Sequence, residues 1–259
     1  MIWTILVIVG IAFILLLIYM YLEAHRDFIQ YVDLTFNEFP ESMGKITIYF
    51  ISDIHKREIS SKMLEEIKGN VDIVIIGGDL LEKGVPFQRV EENVQKLKEI
   101  GQLYFVWGNN DYEVDYHQLD SMLLSKGVKI LDNTAVSFES GSGEEISLMG
   151  VDEISKNRDR LHLALSDAKK DSFKILVSHN PQIVKKITSE HEIKLVLSGH
   201  THGGQIRFGP WGLYKRGGII QTEGTKLFIS NGYGTTMLPL RLGAPAETHL
   251  ITISNPNVN

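Results

Sequence analysis

The hydrophobic pattern of the chain begins with one long apolar run. From Ile2 to Leu22 the residues are apolar apart from Thr4 and Gly10, and about 20 such residues span the hydrocarbon core of a bilayer. No Lys or Arg precedes the run and no small-residue cleavage site closes it, which favours a transmembrane anchor over a cleaved signal peptide. A buried core helix is the other alternative, but it would carry a polar face. We therefore predict an anchor over residues 1–22.

The charges beside this anchor do not orient it. The positive-inside rule compares basic residues at the two flanks of a span. Only Arg26 stands near one flank, against the terminal amine at the other. The prediction is therefore a single-pass protein of the cell membrane, and the side on which the following domain lies is left open.

Shorter apolar runs follow the anchor. Residues 23–45 are predicted to form a juxtamembrane connection, residues 46–254 one folded domain, and residues 255–259 a C-terminal tail. Short runs rich in β-branched residues predict buried strands. The five strongest are Ile46–Ile51, Val71–Ile76, Leu103–Trp107, Phe173–Val177 and Ile193–Leu197. Further strands are predicted at Ile146–Val151, Lys226–Ser230 and His249–Ile253.

Helical patterns separate several of these runs. One helix is predicted to end just before Gly101, its predicted C-terminal cap, and another before Gly127. Their apolar positions are Val90, Val94 and Leu97 in the first helix and Leu119, Met122 and Leu123 in the second. The alternation of strands and helices predicts an α/β fold.

Composition narrows the chemistry of the domain. The 259 residues carry a formal net charge of -6 without a long run of like charge, so duplex nucleic acid is not an expected partner. The chain has no cysteine, which excludes disulfides, thiolate metal sites and iron–sulfur clusters. Any metal ion must be bound by oxygen and imidazole nitrogen.

Metal-ligand residue types follow each of the five strongest strands. They are Asp53 and His55, then Asp79, then Asn109 to Asp111, then His179, and finally His200 and His202. Ligands of open α/β sheets bind beyond the carboxyl ends of the strands, where the loops converge. The sequence therefore predicts one shared site at that edge.

Each cluster alone also has an ordinary structural interpretation. Asp-x-His is more often a surface turn, and Gly-Gly-Asp and Gly-Asn-Asn-Asp suit turns as well. His179 before Asn180-Pro181 could cap the next helix. The segment Gly199 to Gly204 is the most specific, because alternate histidines between glycines leave room for an ion close to the backbone.

Taken in order, these motifs resemble those of the calcineurin-like metallophosphoesterases, from about Lys45 to Ile253. The continuation Gly203-Gly204-Gln205 and the segments 230–234 and 238–241 are similar to the bacterial membrane-anchored phosphodiesterase branch of that family. The resemblance implies a four-layer αββα sandwich, here preceded by one transmembrane helix.

The resemblance also implies two divalent metal ions that share Asp79. It assigns Asp53, His55, Asp79 and His202 to one ion, and Asp79, Asn109, His179 and His200 to the other. A hydroxide bridging such a pair would attack the phosphorus of the substrate. Mixed carboxylate and imidazole ligands suit manganese, iron or zinc, and manganese is the first choice.

Two positions depart from the family pattern. Asn110 stands where relatives have a histidine that binds phosphate or protonates the leaving group, so Asn110, with Asp111 beside it, is predicted only to support catalysis. Lys56 and Arg57 stand where relatives have a hydrophobic residue and glycine. They are predicted, with Asn110, to bind substrate, and a solvated turn is the alternative.

Five histidines lack the spacing of metal ligands: His25, His117, His162, His191 and His249. Of these, only His117 is close enough in sequence to the third motif to reach the site. Tyr112, Trp211 and Tyr214 are candidates for a substrate wall, with interior packing as the alternative.

The expected function is hydrolysis of a phosphodiester or pyrophosphate bond in a lipid or nucleotide. A non-catalytic metal-binding scaffold at the membrane is the alternative, and a nuclease is disfavoured because no basic stripe is present. The oligomeric state is not predicted.

Overall fold

Two six-stranded β-sheets form the centre of the protein in the computed structural model, which describes residues 1–257. The first sheet has the order β1-β12-β2-β3-β4-β5 and the second β10-β11-β9-β8-β7-β6. The strands are β1 (Ile29–Thr35), β2 (Lys45–Ile51), β3 (Ile73–Ile76), β4 (Gln102–Phe105), β5 (Lys129–Ile130), β6 (Thr134–Glu139), β7 (Glu145–Gly150), β8 (Phe173–Val177), β9 (Ile193–Ser198), β10 (Gly218–Gln221), β11 (Lys226–Ile229) and β12 (Thr248–Ser254).

The described residues form five α-helices, of which the last four cover the outer faces of the sheets. They are α1 (Ile2–Ala24), α2 (Ser61–Glu65), α3 (Phe87–Lys98), α4 (Tyr116–Ser125) and α5 (Leu161–Asp167), with short 3₁₀ turns at Glu41–Met43, Asp111–Glu113, Ile154–Lys156, Pro181–Lys186, Ser189–His191 and His202–Gly204. The buried stripe Val90, Val94 and Leu97 holds α3 against the first sheet, at the spacing that a helix covering a core requires.

Three apolar cores separate four layers. One lies between the two sheets and includes Phe50 and Ile75 of the first sheet with Val177 and Leu197 of the second. A second lies between the first sheet and α2, α3 and α4, and a third beneath α5 on the second sheet. The predicted αββα sandwich is confirmed. All eight predicted strands are present, with ends that differ by at most two residues.

Strand β1 corrects the predicted connection over residues 23–45. It pairs in parallel with β12 along its whole length, from Ile29 opposite Thr248 to Thr35 opposite Ser254. The first sheet therefore begins well before residue 46. This edge strand has three polar residues among seven and only two buried ones, so its apolar pattern was too weak to predict it.

Two smaller predictions also need correction. Helix α3 ends at Lys98 with Glu99 as its cap, and Gly101 only leads into β4. The predicted C-terminal tail begins inside the fold, because the buried Asn255 amide donates to the carbonyls of Asn37 and Phe39, at 2.9 Å each. Val258 and Asn259 of that tail lie outside the described residues.

Helix α1 stands away from the sandwich over most of its length. Within residues 1–257 it is the one helix long and apolar enough to cross a membrane. Its most apolar 18-residue stretch has a mean hydropathy of 3.0, and 6% of that stretch is buried. Only its C-terminal end docks, where Met20 and Ala24 are buried. The carbonyl of Met20 accepts from the Arg241 N–H at 2.9 Å, and that of Glu23 from Ala246 at 3.3 Å.

Candidate metal centre

The five loops predicted to share a site do converge. Strands β2, β3 and β4 are parallel in one sheet, as β8 and β9 are in the other, so their carboxyl ends meet at one edge. Hydrogen bonds join the two sheets there. The Nδ1 atom of His179 lies 2.8 Å from the Gly77 carbonyl, and the His200 N–H donates to the Asp53 carboxylate at 3.1 Å.

Asp53, His55 and His202 form one buried group of ligand atoms. The Nε2 atoms of His55 and His202 face each other at 3.2 Å, and His202 Nε2 lies 3.3 Å from Asp53 Oδ1. Two nitrogens bound to one ion at ~2.0–2.1 Å with a near-tetrahedral angle stand about 3.3 Å apart. The spacing of this group therefore fits a metal ion.

Asp53, Asp79 and His179 form a second such group. The Nε2 atom of His179 lies 3.2 Å from Asp79 Oδ2 and 3.2 Å from His200 Nδ1. Within residues 1–257 the buried Oδ1 atom of Asn109 has no hydrogen-bond partner. An unsatisfied oxygen is costly in a buried place, and a cation would satisfy it.

The two groups meet at Asp79. Its Oδ2 atom lies 3.2 Å from His179 Nε2 and 3.9 Å from His55 Nε2. Asp53 is also within reach of both groups. Five of the seven predicted ligands thus form these two groups, His200 contacts Asp53 and His179, and Asn109 lines the same cleft as Asp79, His200 and His202.

The backbone of these residues is unusual. Five of the ten non-glycine residues with positive φ among those described are predicted ligands: Asp53, His55, Asp79, His200 and His202. Such left-handed conformations are uncommon outside glycine, and they concentrate where function requires strain. The fold therefore holds the backbone of these five residues in a strained conformation that orients their side chains.

Glycines permit the loops to approach closely. A Cβ atom at Gly108 would collide with Oδ1 and the backbone nitrogen of Asp79. One at Gly199 would collide with Asp53 Oδ2 and Ser52 Oγ. The carboxylates of Asp79 and Asp53 therefore pack directly against the backbone of Gly108 and Gly199, respectively.

Outer contacts set the ring orientation of two histidines. Glu82 Oε2 lies 3.1 Å from Nδ1 of His55, and the Gly77 carbonyl lies 2.8 Å from Nδ1 of His179. The Gly77 carbonyl favours a proton on Nδ1 of His179 and leaves its Nε2 to bind a metal, as second-shell partners do in metal sites, whereas Glu82 contacts His55 by charge and outside hydrogen-bond geometry. Glu82 was missed, although it follows Asp79 by three residues in the same loop.

Burial and neighbouring charges shift the pKa values of the predicted ligands. Burial raises the pKa of Asp79, but the charge and hydrogen bond of His179 outweigh it and hold that pKa well below its usual range. Burial opposes protonation of His179, yet Asp79 raises its pKa well above the usual value. Burial lowers the pKa of His202 to about 3. Asp79 is thus ionised and His202 neutral at pH 7, the forms that bind metal.

Asp111 lies inside the fold beside the Asp79 loop. Its carboxylate has no exposed surface and accepts hydrogen bonds from four backbone N–H groups, those of Asp79, Leu80, Leu81 and Gly108, at 2.8–3.2 Å. Burial, with the Asp79 charge, raises its pKa to about 7. Asp111 therefore positions the Asp79 loop and does not reach substrate.

The Arg57 side chain is also hydrogen-bonded within the fold. Its guanidinium donates to the carbonyls of His25, Arg26 and Tyr233 and to Asp27 Oδ1, at 2.7–3.1 Å. These four contacts engage the guanidinium that was predicted to bind substrate. Lys56 is 64% exposed and pairs with Glu82 at 2.6 Å. Both line a separate cavity of about 710 Å³ and not the cleft over the ligands.

Arg241 was not singled out by the sequence, and it lies beneath the centre. It is fully buried and donates to carbonyls of two connections: Asn231 and Gly234 at 2.6 Å and Ala244 at 2.9 Å between β11 and β12, and His202 at 3.3 Å after β9. Its Nη2 atom lies 3.2 Å from Nδ1 of His202. Buried arginines are rare, and no local pattern marks one.

A cleft of about 440 Å³ opens over the ligands. It is lined by Asp79, Asn109, Asn110, His200, Thr201, His202, Gly204, Gln205, Ile206, Leu213, Tyr214, Thr236, Met237 and Leu238. Tyr214 thus forms part of its wall. Tyr112 instead packs on Trp107 and donates to Asp152, and His117 lies exposed on α4 against Tyr116. Trp211 is 77% exposed beyond the lining.

Known proteins share this sequence and this fold. The chain is 48% identical over 213 residues to the Bacillus subtilis protein YpbG, which covers 82% of each chain. It is 30% identical to the Bos taurus "transmembrane protein with metallophosphoesterase domain", over 87% of this chain and 57% of that one. The sulfate thiohydrolase SoxB of Thermus thermophilus superposes with a TM-score of 0.56 at 13% identity, over 81% of this chain and 56% of that one, which shows the fold alone.

The family profile of calcineurin-like phosphoesterases matches residues 46–204, which hold every predicted ligand. This family binds divalent metals, and the two ligand groups described above lie within the matched residues. The chain therefore belongs to the calcineurin-like phosphoesterases, a family of metal-dependent hydrolases.

Proposed function

We propose that this hydrolase cleaves a phosphodiester or pyrophosphate bond of a lipid or nucleotide at a membrane surface, using two divalent metal ions. The observation that carries the proposal is the pair of close histidine contacts on either side of Asp79. His55 and His202 lie on one side, and His179 and His200 lie on the other. Two cations about 3.5–4 Å apart are the known device for in-line phosphoryl displacement.

The ligand sets follow from these contacts. We assign Asp53, His55, Asp79 and His202 to one ion and Asp79, Asn109, His179 and His200 to the other, with manganese as the first choice and iron or zinc next. The neutral Asn109 oxygen and four imidazoles leave the pair of ions strongly electrophilic. When bound, the ions supply an activated water and neutralise charge on the phosphate.

The residues of the chain have supporting tasks in this chemistry. Glu82 and the Gly77 carbonyl hold His55 and His179 with Nε2 directed inward. Asn110, at the cleft, fixes the Asp79 carboxylate and has an amide that cannot transfer a proton at neutral pH. The chain thus orients its metal ligands firmly, and it protonates the leaving group weakly.

The cleft supports an amphiphilic substrate. Its floor is the polar ligand cluster, and its walls include Ile206, Leu213 and Leu238. A phosphate would bind at the floor while an apolar group of the same molecule contacts the walls. This favours a lipid phosphoester and leaves room for a nucleotide, whose base could stack on Tyr214.

The membrane part of the proposal rests on α1. Its 23 residues rise about 34 Å, which is enough to cross a hydrocarbon core of about 30 Å. The bovine relative is named a transmembrane protein, which supports a single-pass anchor here.

The test is turnover by the full chain in detergent against phosphomonoesters, phosphodiesters and pyrophosphates. Manganese, zinc and iron(II) are each supplied to metal-stripped protein. We expect metal-dependent turnover of diesters or pyrophosphates by the wild type and by His117→Ala, which removes an exposed histidine outside the cleft. His200→Ala should lose ~100-fold or more. Unchanged turnover in His200→Ala, or activity on monoesters alone, would contradict the proposal.

A further inference from the structure

Exposed apolar side chains are concentrated on two loops beside the cleft, here called the 205–217 loop and the 235–240 loop. Trp211 is 77% exposed, Leu213 82% and Met237 93%. Among described residues after Leu22, six of the eleven large exposed hydrophobics lie on these loops: Phe208, Trp211, Leu213, Tyr214, Met237 and Leu238. A contiguous patch of this kind marks an interaction surface.

The two loops form one surface. The side-chain amide of Gln205 donates to the carbonyls of Thr236 and Leu238, at 3.0 Å each, and its oxygen accepts from the Thr236 N–H at 2.9 Å. Met237 is held between them with a positive φ of 59°. A methionine that is both in the left-handed region and fully presented to solvent is strained without any burial to offset it.

Helix α1 fixes the depth of this surface relative to a bilayer. From residue 2 to Met20 the helix rises roughly 27 Å, close to the thickness of the hydrocarbon core. The Met20 carbonyl is hydrogen-bonded to Arg241. Leu238 precedes Arg241 by three residues, so it lies within roughly 11 Å of that level. The 235–240 loop therefore lies where the spanning helix leaves the hydrocarbon.

We propose that the 205–217 and 235–240 loops form a second membrane contact, with Trp211, Leu213, Met237 and Leu238 in the boundary between headgroups and acyl chains. The proposal rests on α1 spanning the bilayer, as proposed above. Tryptophan and tyrosine are enriched at this depth. Lys215 and Arg216, both exposed, follow in the same loop and would face anionic headgroups.

This contact would place the mouth of the cleft at the bilayer surface. Leu213, Tyr214, Met237 and Leu238 line the cleft as well as the exposed surface. A phosphoester in the headgroup layer would thus reach Asp79 and His202 while its acyl chains stay in the membrane. A lipid phosphoester, rather than a soluble nucleotide, is the substrate class that this geometry favours.

The absence of cysteine from the chain makes a direct test possible. The full chain is placed in nanodiscs of phosphatidylcholine and phosphatidylglycerol, with one nitroxide label on Leu213→Cys or Leu238→Cys. Matched controls are Leu124→Cys and Leu163→Cys, which are exposed leucines of α4 and α5. Phe13→Cys reports on α1 itself. Collision with oxygen, which partitions into lipid, is compared with collision with a water-soluble nickel chelate.

We expect the ratio of oxygen to nickel collisions to be severalfold higher at Leu213 and Leu238 than at Leu124 and Leu163. It should be highest at Phe13. Equal ratios at the four leucine positions, with a high ratio at Phe13, would overturn the second contact and leave both the anchor and the hydrolase activity standing. A low ratio at Phe13 would overturn the anchor and this contact together, again without bearing on turnover.

Discussion

Asn110 donates two hydrogen bonds to the carboxylate of Asp79. Its backbone N–H contacts Oδ1 at 2.8 Å, and its side-chain amide contacts Oδ2 at 2.8 Å. Asn110, at the position where the family resemblance implies a histidine, therefore holds the Asp79 carboxylate. An amide does this without competing for metal, but it cannot protonate a departing alkoxide.

The first prediction concerns the proton that a departing alkoxide needs and that Asn110 cannot supply. The wild type should favour aryl or phosphoanhydride leaving groups, which depart as stable anions. General acid catalysis is worth ~10²- to 10⁴-fold, so Asn110→His should raise turnover of alkyl diesters by part of that range and change aryl substrates little. Rates against leaving-group pKa, measured for both proteins, check this. A shallow dependence in the wild type that is unchanged in the variant would mean that another group supplies the proton.

The second prediction concerns the close approach at Gly199. In Gly199→Ala the new methyl group displaces Asp53 or Ser52, and overpacking of this kind costs about 1–3 kcal/mol. We expect weaker metal binding as well, since Asp53 moves. Gly141→Ala is the matched control, because a Cβ there meets nothing within 4 Å. Calorimetric titration with manganese compares the two variants, and equal affinities would show that the methyl group at position 199 does not disturb a metal ligand.

The third prediction concerns Glu82 and pH. His55 and Lys56 lower the pKa of Glu82 to about 2, from a value near 4.5 for the unfolded chain. A lowered pKa stabilises the fold above pH 4.5, and this contribution is lost as the pH falls toward 2. After allowance for solvent screening it amounts to about 1 kcal/mol.

Metal-free Glu82→Gln should therefore be less stable than the wild type at pH 5 by about that amount, and the difference should vanish near pH 2. Urea unfolding in detergent at several pH values measures it. A difference that does not change with pH would exclude the ionised Glu82 carboxylate as its source.

The metal centre was more predictable than the parts that support it. Asp53, Asp79 and His202 are each found at the end of a short apolar run, so local sequence was enough to place them. Arg241 is different, because its role depends on carbonyls up to ten residues away in its own connection and on His202 of another, which only the fold brings together. Strand β1 was missed because an edge strand shows only part of the apolar pattern of a central one.

The fourth prediction separates Arg57 from its neighbour Lys56. Arg57→Ala removes hydrogen bonds that hold the segment after α1, and it should destabilise the fold by about 2–3 kcal/mol with little change in KM. Lys56→Ala, at an exposed pair, should cost less than about 1 kcal/mol. Urea unfolding and steady-state kinetics on a diester provide the measurements. A tenfold higher KM at unchanged stability in Arg57→Ala would restore it as a phosphate-binding residue.

The central claim is that Asp79 is shared by two metal ions, and elemental analysis of metal per chain tests it most directly. The full chain is stripped, loaded with manganese, and freed of excess metal before protein and metal are quantified together. The account predicts two ions per wild-type chain, and also in Asp171→Asn, which neutralises an exposed carboxylate elsewhere. For Asp79→Asn it predicts fewer than two ions and no turnover, because both ions lose ligand charge. Two bound ions in an Asp79→Asn protein that still hydrolyses its substrate would contradict it.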